Sequence, residues 1–140
     1  MSPIVVKFGG SSLATAGQFE KVAAIIRENP DRRYVVASAP GKRDSADTKV
    51  TDLLYRCYDQ AAAGEDFMST LQQIKTRFAS IISELSLQAD LTADFEAIAA
   101  HLRQAPQRDY MASRGEYLKS KLLAAYLGFQ FVDAAQMVLF

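Results

Sequence analysis

The residues best suited to chemistry come early in the chain: Lys7-Phe8-Gly9-Gly10-Ser11-Ser12. Paired glycines let backbone N–H groups approach a phosphate closely. Successive free N–H groups in such a turn form a concavity that holds anions. A helix starting just beyond it adds a positive N-terminal end. Lys7 can then set an ammonium against phosphoryl oxygens, and phosphoryl transfer needs chiefly alignment and charge neutralisation. The competing reading is a tight turn with a surface lysine. The turn matches neither Gly-x-x-x-x-Gly-Lys nor Gly-x-Gly-x-x-Gly, so neither of those phosphate motifs accounts for it.

Such a turn needs elements to hold it. Ile4 to Phe8 is a β-branched and aromatic run ending at Gly9-Gly10, which predicts a strand. Thr15 to Glu28 predicts a helix, with Phe19, Val22, Ala23 and Ile26 on one face. Asn29-Pro30-Asp31 stops it. Arg33 to Ser38 predicts a second strand, apolar through its middle as a strand covered on both faces should be. Strand, helix, strand favours a parallel pair joined by a crossover helix.

A polar loop from Ala39 to Asp47 follows, and then four apolar stripes at helical spacing. The first is Val50, Leu53, Leu54 and Cys57. The second is Phe67, Leu71, Ile74, Phe78, Ile81 and Leu85. Leu91, Phe95, Ile98 and Leu102 form the third. Met111, Leu118, Leu122 and Ala125 form the fourth, closed by Gly128 as a C-cap. Phe129 to Asp133 predicts a third strand. The last four residues, Met137 to Phe140, are apolar, whereas chain ends are commonly polar and frayed. Three strands are also few for five helices. Residues 1–140 are therefore expected to be the N-terminal portion of a larger domain.

Bulk properties exclude several classes. The formal net charge of the 140 residues is zero, so no long-range field gathers nucleic acid or an anionic membrane. The one cysteine, Cys57, allows no internal disulfide. No apolar run is long enough to span a bilayer, and the N-terminus lacks the pattern of a signal peptide. A cytoplasmic protein is expected. His101 has no second histidine, which argues against a metal site. Cys57 on its stripe predicts packing rather than catalysis. The basic pairs Arg32-Arg33 and Lys42-Arg43 read as solvated charges.

Val5-Val6-Lys7-Phe8-Gly9-Gly10-Ser11-Ser12-Leu13 resembles the N-terminal signature of aspartate kinases, members of the amino-acid kinase family. Two further segments fit in the same order. Ser38-Ala39-Pro40-Gly41 with Lys49-Val50-Thr51-Asp52-Leu53-Leu54 resembles the loop and helix start that line the aspartate site. Ser113-Arg114-Gly115-Glu116 resembles a later Gly-Glu element at the substrate pocket. The resemblance covers nearly the whole chain. It implies an α/β fold, the N-terminal part of a carbamate kinase-like three-layer sandwich with a mainly parallel sheet and several helices.

The resemblance also implies roles. Lys7 would be catalytic and, with Gly9, Gly10, Ser11 and Ser12, would hold the ATP phosphates. Ser38 and Thr51 would hydrogen-bond L-aspartate, and Glu116 would face its ammonium. No protein metal ligand is implied; ATP would bring Mg2+. The reaction would be transfer of the γ-phosphoryl to the β-carboxylate of aspartate, giving 4-phospho-L-aspartate for lysine, threonine and methionine synthesis. The parent would be a homo-oligomer with regulatory ACT domains, and this fragment alone would be inactive or nearly so. The residues themselves leave room for other readings. Ser38 can simply start a turn, and Thr51 can cap or decorate a helix. Glu116 shares a helix side with Ala112 and Leu123, yet it can also pair with Lys119 in solvent. Two alternatives stand beside aspartate kinase: a family member with another acceptor, and a non-catalytic binding module.

Overall fold

Strand β1 (Ile4–Phe8) and strand β2 (Arg32–Ala37) lie side by side and parallel. Residues 3–8, 15–37 and 49–132 are described by the computed structural model. The register sets Val5 opposite Tyr34, Val6 opposite Val35, Lys7 opposite Val36 and Phe8 opposite Ala37. Helix α1 (Ala16–Arg27) joins the two strands, so the predicted crossover is present. Thr15 caps α1 rather than belonging to it: its Oγ1 accepts the N–H of Gln18 at 3.4 Å. Beyond the helix, Asn29 Oδ1 accepts the Asp31 N–H at 2.9 Å, which turns the chain into β2.

Four helices follow: α2 (Val50–Ala62), α3 (Met68–Glu84), α4 (Thr92–Gln104) and α5 (Arg108–Leu127). Aspartates two residues ahead fasten two of their starts. Asp66 Oδ1 accepts the Met68 N–H, and Asp90 Oδ1 accepts the Thr92 N–H, both at 2.9 Å. The predicted stripes are the core. Val50, Leu54, Cys57, Leu71, Ile74, Phe78, Met111, Leu118 and Leu122 are all fully buried. Phe78 and Phe95 tilt against each other with centroids 6.2 Å apart and tie α3 to α4. α2 packs on both α3 and α5, and α5 in turn reaches β2.

Three expectations need correction. Tyr34 and Val36 are 54% and 47% exposed, so β2 is not covered on both faces. Val6, Phe8 and Val35 face the helical core, while Val5, Tyr34 and Val36 point the other way. Residues 129–132 form no strand. Gly128 takes a left-handed φ of 73°, and the Phe129 N–H bonds back to the Ala124 carbonyl at 2.9 Å, so the residues after α5 begin as a helix cap. A strand exists only through its ladder, and β2 offers none to this segment. Ala125 is exposed, and Leu123 and Lys119 take its place on the buried face of α5. Asp133 and the residues from 134 to 140 lie outside the described residues.

Candidate functional site

Because β1 and β2 are parallel, their carboxyl ends share one edge of the sheet. Lys7 is exposed in the second-to-last position of β1, opposite Val36. From that edge the chain continues through residues 9–14 into the capped start of α1, and through residues 38–48 into α2. The strand end and the capped helix N-terminus thus stand in the order an anion cradle needs. Gly9, Gly10, Ser11, Ser12 and Ser38, all singled out from the sequence, lie outside the described residues. Thr51 is half-buried in the first turn of α2, beside the buried Val50.

Glu116 lies elsewhere. It is exposed on α5 and lines a groove of about 480 Å³ between α5, β2 and residues 129–132. Arg33, Ser113, Arg114, Ser120 and Gln130, with Tyr34 and Tyr117, supply the groove's other polar side chains. Arg114 is held in place from behind: its guanidinium sits 4.6 Å from the Tyr110 ring and 4.3 Å from the Tyr117 ring, and it donates to Ser113 Oγ. The groove can therefore present a carboxylate beside two guanidiniums. Among the described residues no ion pair links Glu116 to Lys7.

The alternative pairing of Glu116 with Lys119 is overturned. Lys119 is fully buried, and its Nζ has no hydrogen-bond partner among the described residues. The amine rests against the face of the Phe19 ring on α1. Burial pushes the Lys119 pKa down to about 6. Helical spacing contained the signal. Lys119 stands four residues after the buried Gly115 and four before the buried Leu123, a position that outweighs its charge.

Other titratable groups are structural. Lys121 donates to both oxygens of Asp94, at 3.0 and 3.1 Å, and the Tyr117 hydroxyl donates to Asp94 Oδ1 at 3.1 Å, which ties α5 to α4. His101 accepts a backbone N–H at the start of α5. Among the described residues no cluster of His, Cys, Asp and Glu could hold a metal ion, and no helix is long and apolar enough to cross a membrane.

The amino acid kinase family model matches residues 2–140, and the chain belongs to that family. Aspartokinase 3 of Bacillus subtilis is 38% identical over 136 residues, spanning 93% of this chain and 30% of the relative. The crystal structure of an aspartate kinase from Clostridium acetobutylicum superposes with a TM-score of 0.92 at 42% identity, covering 96% of this chain and 31% of that one. Escherichia coli aspartokinase III, solved with aspartate and ADP, has a TM-score of 0.69 at 23% identity, which is a likeness of fold. The chain thus spans about 30% of the length of these relatives.

Proposed function

We propose that the chain is the N-terminal part of the kinase domain of an aspartate kinase. That enzyme would move the γ-phosphoryl of MgATP to the β-carboxylate of L-aspartate and release 4-phospho-L-aspartate. One observation carries the reading: Lys7 sits near the carboxyl end of a parallel strand that feeds, through Gly9-Gly10-Ser11-Ser12, a helix capped at Thr15. The aspartokinases among its relatives support aspartate as the acceptor.

In this reading Lys7 neutralises the phosphates and the group in flight. The backbone and hydroxyls of Gly9, Gly10, Ser11 and Ser12 hold the phosphate oxygens. Ser38 and Thr51 hydrogen-bond aspartate, and Glu116 meets its ammonium. The acceptor carboxylate is already ionised at neutral pH, so alignment and electrostatics suffice without a strong base. Mg2+ would neutralise phosphate charge and would arrive on the nucleotide, which suits a donor set of ammonium and N–H groups. The remaining kinase half, ACT domains and a homo-oligomeric, cytoplasmic parent belong to the same proposal.

Lys7→Ala in the full-length protein should lower kcat by about 100-fold or more, the loss typical of one transition-state donor, with the circular dichroism spectrum unchanged. Retained turnover would remove Lys7 from the catalytic machinery, whereas intact biological activity without measurable turnover would favour a binding module. Comparable rates with glutamate, acetylglutamate, carbamate or UMP would exclude aspartate as the specific acceptor. The 140-residue chain alone should show little or no turnover in a coupled assay.

A further inference from the structure

The seam between α1 and α5 is fastened differently at its two ends. At one end Arg27 donates to the Tyr126 carbonyl at 3.0 Å, and its guanidinium lies 5.5 Å from the Tyr126 ring. At the other end Phe19, in the first turn of α1, is clasped by two residues of α5. Tyr126 meets it edge-on, with centroids 6.5 Å apart at 87°, and Lys119 lies against its face. Lys119 and Tyr126 are seven residues apart, two turns along one helix face. The Arg27 end is held by a charged hydrogen bond. The Phe19 end is held by packing on the Lys119 amine and on the ring of the same Tyr126 whose carbonyl Arg27 holds.

That amine has nowhere to go. Gly115, Leu118, Leu122 and Leu123 around it on α5 are all buried, so the stem cannot carry its nitrogen out to water. A charged amine on a ring face gains some cation–π attraction. Stripping an unpaired ammonium of water costs more, so the packed form is the neutral one. The nearby charges do not change this. On α5, Glu116 is exposed in the groove and Lys121 is committed to Asp94 of α4. On α1, Glu20 and Lys21 are exposed, as are Arg56 on α2 and Arg33 on β2. Cys57 is the titratable group that α2 buries, and Arg77 is the charged group buried by α3, which also packs on α1. Burial is the sole cause of the low Lys119 pKa.

We propose that Lys119 is a proton-operated latch: neutral, it seats Phe19 and the first turn of α1 on α5, and protonated, it drives that turn away while the Arg27 end stays fixed. The inference stands apart from the kinase reading, since it needs only the α1–α5 seam. Its sign follows from linkage. The Lys119 pKa of about 6 in the folded chain lies below the ordinary 10.5. Between those values the unfolded chain holds a proton that the native chain lacks, so stability rises with pH across that window. Below about pH 6 the native chain takes the proton too, and there the latch opens.

Two measurements on the full chain test it. An NMR titration of the assigned Lys119 Cε resonance should show a transition near pH 6. Amide exchange at Gln18 to Val22, corrected for intrinsic rates, should quicken by about tenfold or more as pH falls through that transition, while amides near Arg27 hold their protection. Lys119→Met should abolish the change in exchange. A Lys119 transition near pH 10 would overturn the proposal, and so would a transition near 6 with α1 protection unmoved. The wild-type titration decides the matter even if Lys119→Met fails to fold.

Discussion

Through Nε2, His101 near the end of α4 accepts the backbone N–H of Gln107 at 2.9 Å, just before α5 begins. Its ring also lies on that of Tyr110, with centroids 3.9 Å apart. One side chain thus satisfies a donor at the start of α5 and stacks on its first turn. His101→Ala should cost about 1 kcal/mol, the usual loss for one such bond, seen as a lower melting temperature in calorimetry. His101→Phe keeps the stack and loses the acceptor, so it should recover only part of the loss.

Asp94 gathers Lys121 and Tyr117 of α5 onto α4. The carboxylate side chain is only 12% exposed, so the pair is better shielded than a surface bridge. Asp94→Ala should destabilise by about 1–2 kcal/mol, measured by urea denaturation. Burial works against the Lys121 ammonium, but the hydrogen bonds and charge of Asp94 and Tyr117 outweigh it and hold the pKa above its usual value. A raised lysine pKa contributes stability that is complete below the ordinary lysine range and lost as pH climbs past the folded value. The gap between wild type and Asp94→Ala should therefore be steady at neutral pH and shrink at strongly alkaline pH.

Cys57 should be silent toward thiol reagents while the chain is folded. Burial, against a smaller opposing pull from Arg56, pushes its pKa up to about 11, and the side chain is fully buried. The reactive thiolate is then scarce near neutrality as well as sealed off. Labelling should be negligible in buffer and reach one equivalent in guanidinium. Above about pH 9 the unfolded thiol ionises while the folded one does not, so this group lowers stability as pH rises toward 11.

Much of the fold was legible because local pattern and tertiary burial agree. The stripes from Val50 to Cys57, Phe67 to Ile81 and Leu91 to Leu102 are the buried faces of their helices. Gly128 caps α5 because an αL residue there is cheap only for glycine. What failed depends on neighbours far along the chain. Nothing local in Phe129 to Val132 says whether β2 will offer a ladder, and nothing local in Tyr34 and Val36 says what covers them. For Lys119 the charge suggests solvent, while its register on α5 puts it in the core. Of the candidate site, Lys7 stands at the expected strand position and Thr51 in the expected first turn, while Glu116 opens onto a groove that spacing alone did not reveal.

The bare sheet face has a practical cost in the test tube. Val5, Tyr34 and Val36 form a greasy patch on a chain whose formal charges cancel to zero, so little colloidal repulsion keeps two copies apart. Light scattering by the 140-residue chain should grow steeply with concentration. Lys substitutions at Tyr34 and Val36 should suppress it, since they make the patch both polar and cationic while leaving Val6, Phe8 and Val35 on the core, although both positions also wall the groove beside α5.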